Sequence, residues 1–103
     1  MAKGYLEAGV CGMKTVIETK ECNGKISIII DSECPHYDGL GDTIGEIDGM
    51  MACFDKVGTG TVYEACRKTC PHGACAVPMA ILKTVEVASN MALPADVTLK
   101  LEK

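Results

Sequence analysis

Thr15–Glu33 reads TVIETKECNGKISIIIDSE, and Asn23-Gly24 at its centre decides how the chain begins to fold. Asn-Gly stands between two runs rich in β-branched residues. A type I′ turn needs positive φ at both central positions, and an Asn-Gly pair meets that need, so this pattern marks a two-residue hairpin. The reading places one strand over about 11–21 and its partner over about 25–34. With Asn23-Gly24 as the loop, Cys22 pairs with Lys25. Ile17 then faces Ile30, Thr19 faces Ile28, Met13 faces Cys34 and Cys11 faces His36. Strand side chains alternate, so the last four pairs share one face, and Ile17, Ile28 and Ile30 make it the buried one. Cys11 and Cys34 become diagonal neighbours there, roughly 7 Å apart. Pro35 has no amide to donate, so the strand is expected to end at it.

Downstream, Leu40, Ile44, Ile47 and Met51 recur at helical spacing and predict a helix near 40–54. Four glycines weaken it, with a break expected at Gly49. Thr61 with Glu64 three residues on reads as a capping box, opening a helix over about 62–69. Pro78 suits the first turn of a last helix, with Met79–Met91 as its body. Only Lys83, Glu86 and Asn90 form a polar line along it, so more than one side must be covered. The sheet is one cover. A second subunit is another, making helix 78–91 the expected surface of a homodimer. Pro94 ends the helix, and Asp96–Leu101 (DVTLKL) alternates as a third strand. The predicted fold is a single α+β domain over 1–103. It is two-layer, with an N-terminal β-hairpin and a C-terminal strand packed against about three helices in the order β-β-α-α-α-β.

Composition narrows the function. The 103 residues carry a net charge of −4 and only four aromatic side chains, Tyr5, Tyr37, Phe54 and Tyr63. Nucleic-acid binding wants a basic footprint and stacking platforms, so neither RNA nor DNA is an expected partner. No apolar run approaches the ~18 residues of a membrane span, and MAKGYLEAGVCG lacks the apolar core of a secretory signal. The expected compartment is the cytoplasm, where stable disulfides are rare. Seven cysteines are an odd number and cannot all pair within one chain. They are buried thiols, metal ligands or reactive thiols.

The two histidines both occur in the tripeptide Cys-Pro-His, as Cys34-Pro35-His36 and Cys70-Pro71-His72. Each Cys-Pro is a rigid exit from regular structure. If the last helix packs on the buried face of the hairpin, the loop before it meets the sheet end that bears Cys11 and Cys34. Zn²⁺ takes four Cys or His ligands, and iron–sulfur clusters usually take four thiolates. The candidate ligands are Cys11, Cys34, Cys70, Cys75, His72 and His36. Cys22 beside the turn and Cys53 beside Phe54 read as structural. Cys66, four residues before Cys70, reads as core or an extra ligand. The acidic, glycine-rich DGLGDTIGEIDG (Asp38–Gly49) fits neither phosphate-loop nor calcium-loop spacing and reads as a solvated face.

Ala8–Gly12 (AGVCG), Ser32–His36 (SECPH), Pro71–Ala88 (PHGACAVPMAILKTVEVA) and Leu93–Val97 (LPADV) together resemble a small uncharacterised prokaryotic family of stand-alone cysteine-containing domains. That resemblance spans nearly the whole chain and brings no known activity. More distantly, the layout is similar to TSCPD-type domains, named for a Thr-Ser-Cys-Pro-Asp motif. The similarity would fall on Cys11, Cys34 and Cys70, with Thr69-Cys70-Pro71-His72 in place of the motif's end, and it implies metal or cluster binding. A rival resemblance is to sulfur carriers of the TusA type, whose active Cys opens a helix in C-P-x-P. Cys75-Ala76-Val77-Pro78 has the Cys and the second Pro but not the first. It implies a nucleophilic or persulfide-carrying Cys75. A third reading is a non-catalytic interaction module whose cysteines are purely structural.

Overall fold

A computed structural model describes all residues, 1–103. Four strands form an antiparallel meander in the order β1-β2-β3-β4: β1 (Ala2–Glu7), β2 (Lys14–Cys22), β3 (Lys25–Ser32) and the two-residue β4 (Ile47–Asp48). Four helices follow or interleave: α1 (Leu40–Ile44), α2 (Gly49–Phe54), α3 (Gly60–Thr69) and α4 (Val77–Ala88). The class is α+β, with helices packed on the sheet.

The hairpin forms in the expected register. Asn23 and Gly24 have φ of 53° and 81°, the left-handed pair that a type I′ turn requires. Cys22 pairs with Lys25, Ile17 with Ile30 and Thr19 with Ile28. The ladder stops sooner than expected. Its last rung is Thr15 with Ser32, and Glu33 N donates to Lys14 O just beyond. Cys11 therefore does not pair with His36. It sits exposed in a turn closed by Gly12 N to Gly9 O, which reverses the chain between β1 and β2.

β1 is the strand that the pattern did not reveal, and Asp96–Leu101, expected as a strand, pairs with nothing. Gly4 interrupts the alternation of β1. The helix layer explains it: a Cβ at Gly4 would collide with Thr84 of α4. The long predicted helix over 40–54 is two short ones with β4 between them. Its break is at Gly45 rather than Gly49, because Gly45 ends α1 at φ 67°. Gly49 instead opens α2, where Asp48 caps the helix by accepting from Met51 N at 3.0 Å. α3 begins at Gly60 after Thr59, so Thr61 is not its cap, and neither threonine makes a side-chain capping bond.

The core lies between the sheet and α4. Ile17, Ile26, Ile81 and Val85 are fully buried there, each contributing about 1.5–3 kcal/mol by leaving water. α4 packs on β1 and β2 with one side and on α2 and α3 with another. The second cover that its apolar circumference demanded is thus supplied by the chain's own helices. Two of the buried hydroxyls are paired within the core, Thr15 Oγ1 lying 2.8 Å from Ser32 Oγ and Thr84 Oγ1 donating to Ala80 O at 2.8 Å, whereas the buried Ser89 Oγ has no partner. No helix is long and apolar enough to cross a membrane.

Candidate thiol site

β3 has already ended at Ser32, and Pro35 starts a single 3₁₀ turn, Pro35–Tyr37, in which Tyr37 N donates to Cys34 O at 3.1 Å. The turn drives the Tyr37 ring into the core, where it is 2% exposed. The last turns of α3 supply Cys66, and Cys70 caps the helix, its N–H donating to Cys66 O at 2.9 Å. After α3, the chain passes Pro71 and folds back so that Cys75 N donates to His72 O at 3.1 Å. That turn presents Cys75 just before α4.

These pieces meet. Tyr37 Oη donates to Cys75 Sγ at 3.0 Å and stands in hydrogen-bonding reach of Cys70 as well. Cys70 Sγ lies 3.9 Å from the His72 carbonyl oxygen. Cys66 is buried beneath the pair, while Cys70 and Cys75 are half-buried and open to solvent.

Electrostatics divides the three thiols. Burial pushes the Cys66 thiol up to about 12, and the neighbouring Cys75 and Cys70 sulfurs add to the effect. It stays protonated at any ordinary pH. Burial also acts to raise Cys70, but hydrogen bonds from Tyr37, the His72 main chain and Cys75 outweigh it and hold Cys70 below the usual thiol value. The Tyr37 phenol is itself pushed far above its usual range, first by burial and then by the two sulfurs. It therefore acts as a fixed proton donor rather than a base. The arrangement thus favours negative charge on Cys70 over Cys66 and Tyr37.

The other expected residues fall differently. Cys34 is half-buried and packs on the same core as Cys70 and Cys75. Cys11, His36 and His72 are exposed. No three His, Cys, Asp or Glu side chains are arranged so that they could hold a metal ion. Cys22 is exposed, and Cys53 is half-buried with its thiol raised by burial and by Glu86. The residue that sequence reasoning missed is Tyr37. Its only signal was position, directly after Cys34-Pro35-His36. A cavity of about 250 Å³ lies elsewhere, between β4, α2 and α3, and is lined by no cysteine.

A buried tyrosine hydrogen-bonded to one of two half-buried cysteines at the junction of α3 and α4 marks a candidate cysteine site in a small α+β protein. The chain matches a family of unknown function, DUF6951, over residues 2–101 and belongs to that family. No curated protein and no solved structure matches it.

Proposed function

We propose that the chain carries a thiol-exchange site in which Cys70 is the nucleophile and Cys75 the resolving thiol. One observation supports this most: Cys70 keeps a lowered pKa against its own burial because Tyr37, the His72 main chain and Cys75 hydrogen-bond to it. A thiolate, not a thiol, is the attacking species, and one with a modestly lowered pKa combines availability with nucleophilicity. The substrate class is a disulfide on a small molecule or a partner protein. Cys70 thiolate attacks one sulfur of that disulfide and displaces the other, which leaves as a thiolate and takes a proton. Cys75, having given up its proton, then attacks Cys70 Sγ and releases the second substrate thiol. The substrate gains two electrons, and the chain ends with a Cys70–Cys75 disulfide. Tyr37 keeps its proton throughout and donates it to whichever sulfur is negative.

The test is alkylation by iodoacetamide as a function of pH, read residue by residue by mass spectrometry. Cys70 should react fastest at neutral pH, ahead of the exposed Cys22, and treatment with a small disulfide should link Cys70 to Cys75. Cys70 reacting no faster than Cys22 overturns the proposal.

A second reading is a zinc ion or an iron–sulfur cluster on Cys11, Cys34, Cys70 and Cys75, with His72 and His36 as further donors. It is favoured by the packing of Cys34, Cys70 and Cys75 on one core and by the thiolate character that ligands need. It requires Cys11 to leave its exposed turn and the other thiols to close up, since no three of these side chains are placed to hold an ion as they stand. Metal content after oxygen-free purification decides it: Cys34→Ser should strip the metal where Cys53→Ser leaves it. Metal-free protein with freely titratable thiols removes this reading.

A further inference from the structure

Two stretches of backbone in this chain are suited to pairing and have no partner within it. One is the outer edge of β1. β1 is the first strand in sheet order and pairs with β2 alone. The other is Asp96–Leu101, which like β1 is six residues long and makes no backbone hydrogen bond. Val97, Leu99 and Leu101 are 58%, 79% and 84% exposed. Lys100 and Glu102, two residues apart on the other side of an extended chain, form an ion pair at 2.8 Å. The segment thus has one apolar and one charged face, the pattern of a half-buried strand, but no sheet beneath it.

The far edge of the sheet is closed. β4 takes the rungs at Lys25 and Ile26, and α1 lies so close to β3 that a Cβ on Gly41 would sit 2.9 Å from Ile28 O. The β1 edge is open, and apolar surface borders it. Thr84 sits over Gly4, and helical spacing puts Ala80 and Val87 on the same line of α4 as Thr84. Ala80 and Val87 are half-buried.

We propose that Asp96–Leu101 of one copy adds as an outer strand to β1 of a second copy, reciprocally, in a two-fold dimer. Val97, Leu99 and Leu101 then extend the inner face beside Ala2, Gly4 and Leu6 and cover the flank of α4. Direction favours a second copy over the chain's own tail. α4 ends at the hairpin end of the sheet, where Ser89 borders Gly49 and Ile26. β1 starts at that same end, with Ala2 opposite Thr19. The chain's own tail would therefore run parallel to β1, the weaker ladder, whereas a two-fold partner can present its tail antiparallel. The family match over residues 2–101 takes in both segments. The proposal is independent of the thiol chemistry.

Sedimentation velocity over a hundredfold concentration range tests it. The full chain should sediment at twice its 10.9 kDa mass. Leu99→Pro, which removes a ladder donor, and truncation after Pro94 should each return it to the single-chain mass, with the circular dichroism of the body unchanged. A single-chain mass at every concentration, or a dimer that survives both changes, overturns the proposal.

Discussion

At the scale of single residues, the site depends on where one proton rests. Tyr37 Oη has one hydrogen and two sulfurs within reach, and it cannot itself ionise in the working range because it is buried. Replacing it with phenylalanine keeps the ring, and with it most of the core packing. The change removes a donor that holds Cys70 below the usual thiol value. Tyr37→Phe should move the pH midpoint of Cys70 alkylation upward and slow modification at neutral pH, while stability drops only by the roughly 0.5–1.5 kcal/mol of one hydrogen bond. The alkylation profile and a urea titration, run on the same variant, separate the two effects. An unmoved midpoint would mean that Cys75 and the His72 main chain alone set the thiolate.

At the scale of elements, short helices are placed by close contact rather than by propensity. α1 has five residues and could not persist alone. It is held because Gly41 lets its backbone approach β3. A methyl group at Gly41 would meet Ile28 O at 2.9 Å, a backbone atom that cannot swing aside. Gly41→Ala should therefore cost about 1–3 kcal/mol and raise amide exchange along the β3 edge, both measurable by hydrogen exchange. A change of a few tenths of a kcal/mol would show that α1 can shift freely. The same contacts explain what was legible in the sequence. The hairpin was, because a turn and its alternation are local: Asn23-Gly24 set the register, and Ile17 and Ile30 found each other. β1 was not, because Gly4 serves a contact with Thr84, eighty residues away. Nor was the gap between α1 and α2 placed correctly, since Ile44 and Ile47 keep helical spacing across a turn that only Gly45 breaks. At the candidate site, Cys70 and Cys75 stood out in the sequence, Cys70 directly before Pro71 and Cys75 shortly before Pro78. Their dependence on Tyr37 did not, because it arises from a 3₁₀ turn that brings together residues 38 positions apart.

At the scale of the whole molecule, four buried or half-buried acids couple stability to pH in opposite senses. In the unfolded chain each thiol ionises near 9.0. The folded chain keeps the Cys66 proton up to about 12. Between those values the folded state binds more protons than the unfolded one, so rising pH favours unfolding; below 9.0 both states are protonated and Cys66 contributes nothing. Cys53 and Tyr37, also raised, act in the same sense above their ordinary 9.0 and 10.0. Cys70 opposes them. Its folded value is lowered, so it adds stability as pH rises from that value towards 9.0, and a constant amount beyond. The urea midpoint should accordingly hold or rise slightly towards pH 9 and fall between 9 and 12. Cys66→Ala lowers the midpoint at neutral pH because a packed side chain is truncated. It should nevertheless flatten the alkaline fall, leaving the part that belongs to Tyr37 and Cys53. Parallel titrations of the two proteins, each normalised to its own midpoint at neutral pH, measure this directly. An equally steep fall in both would mean that the alkaline sensitivity does not come from the thiol beneath the Cys70–Cys75 pair.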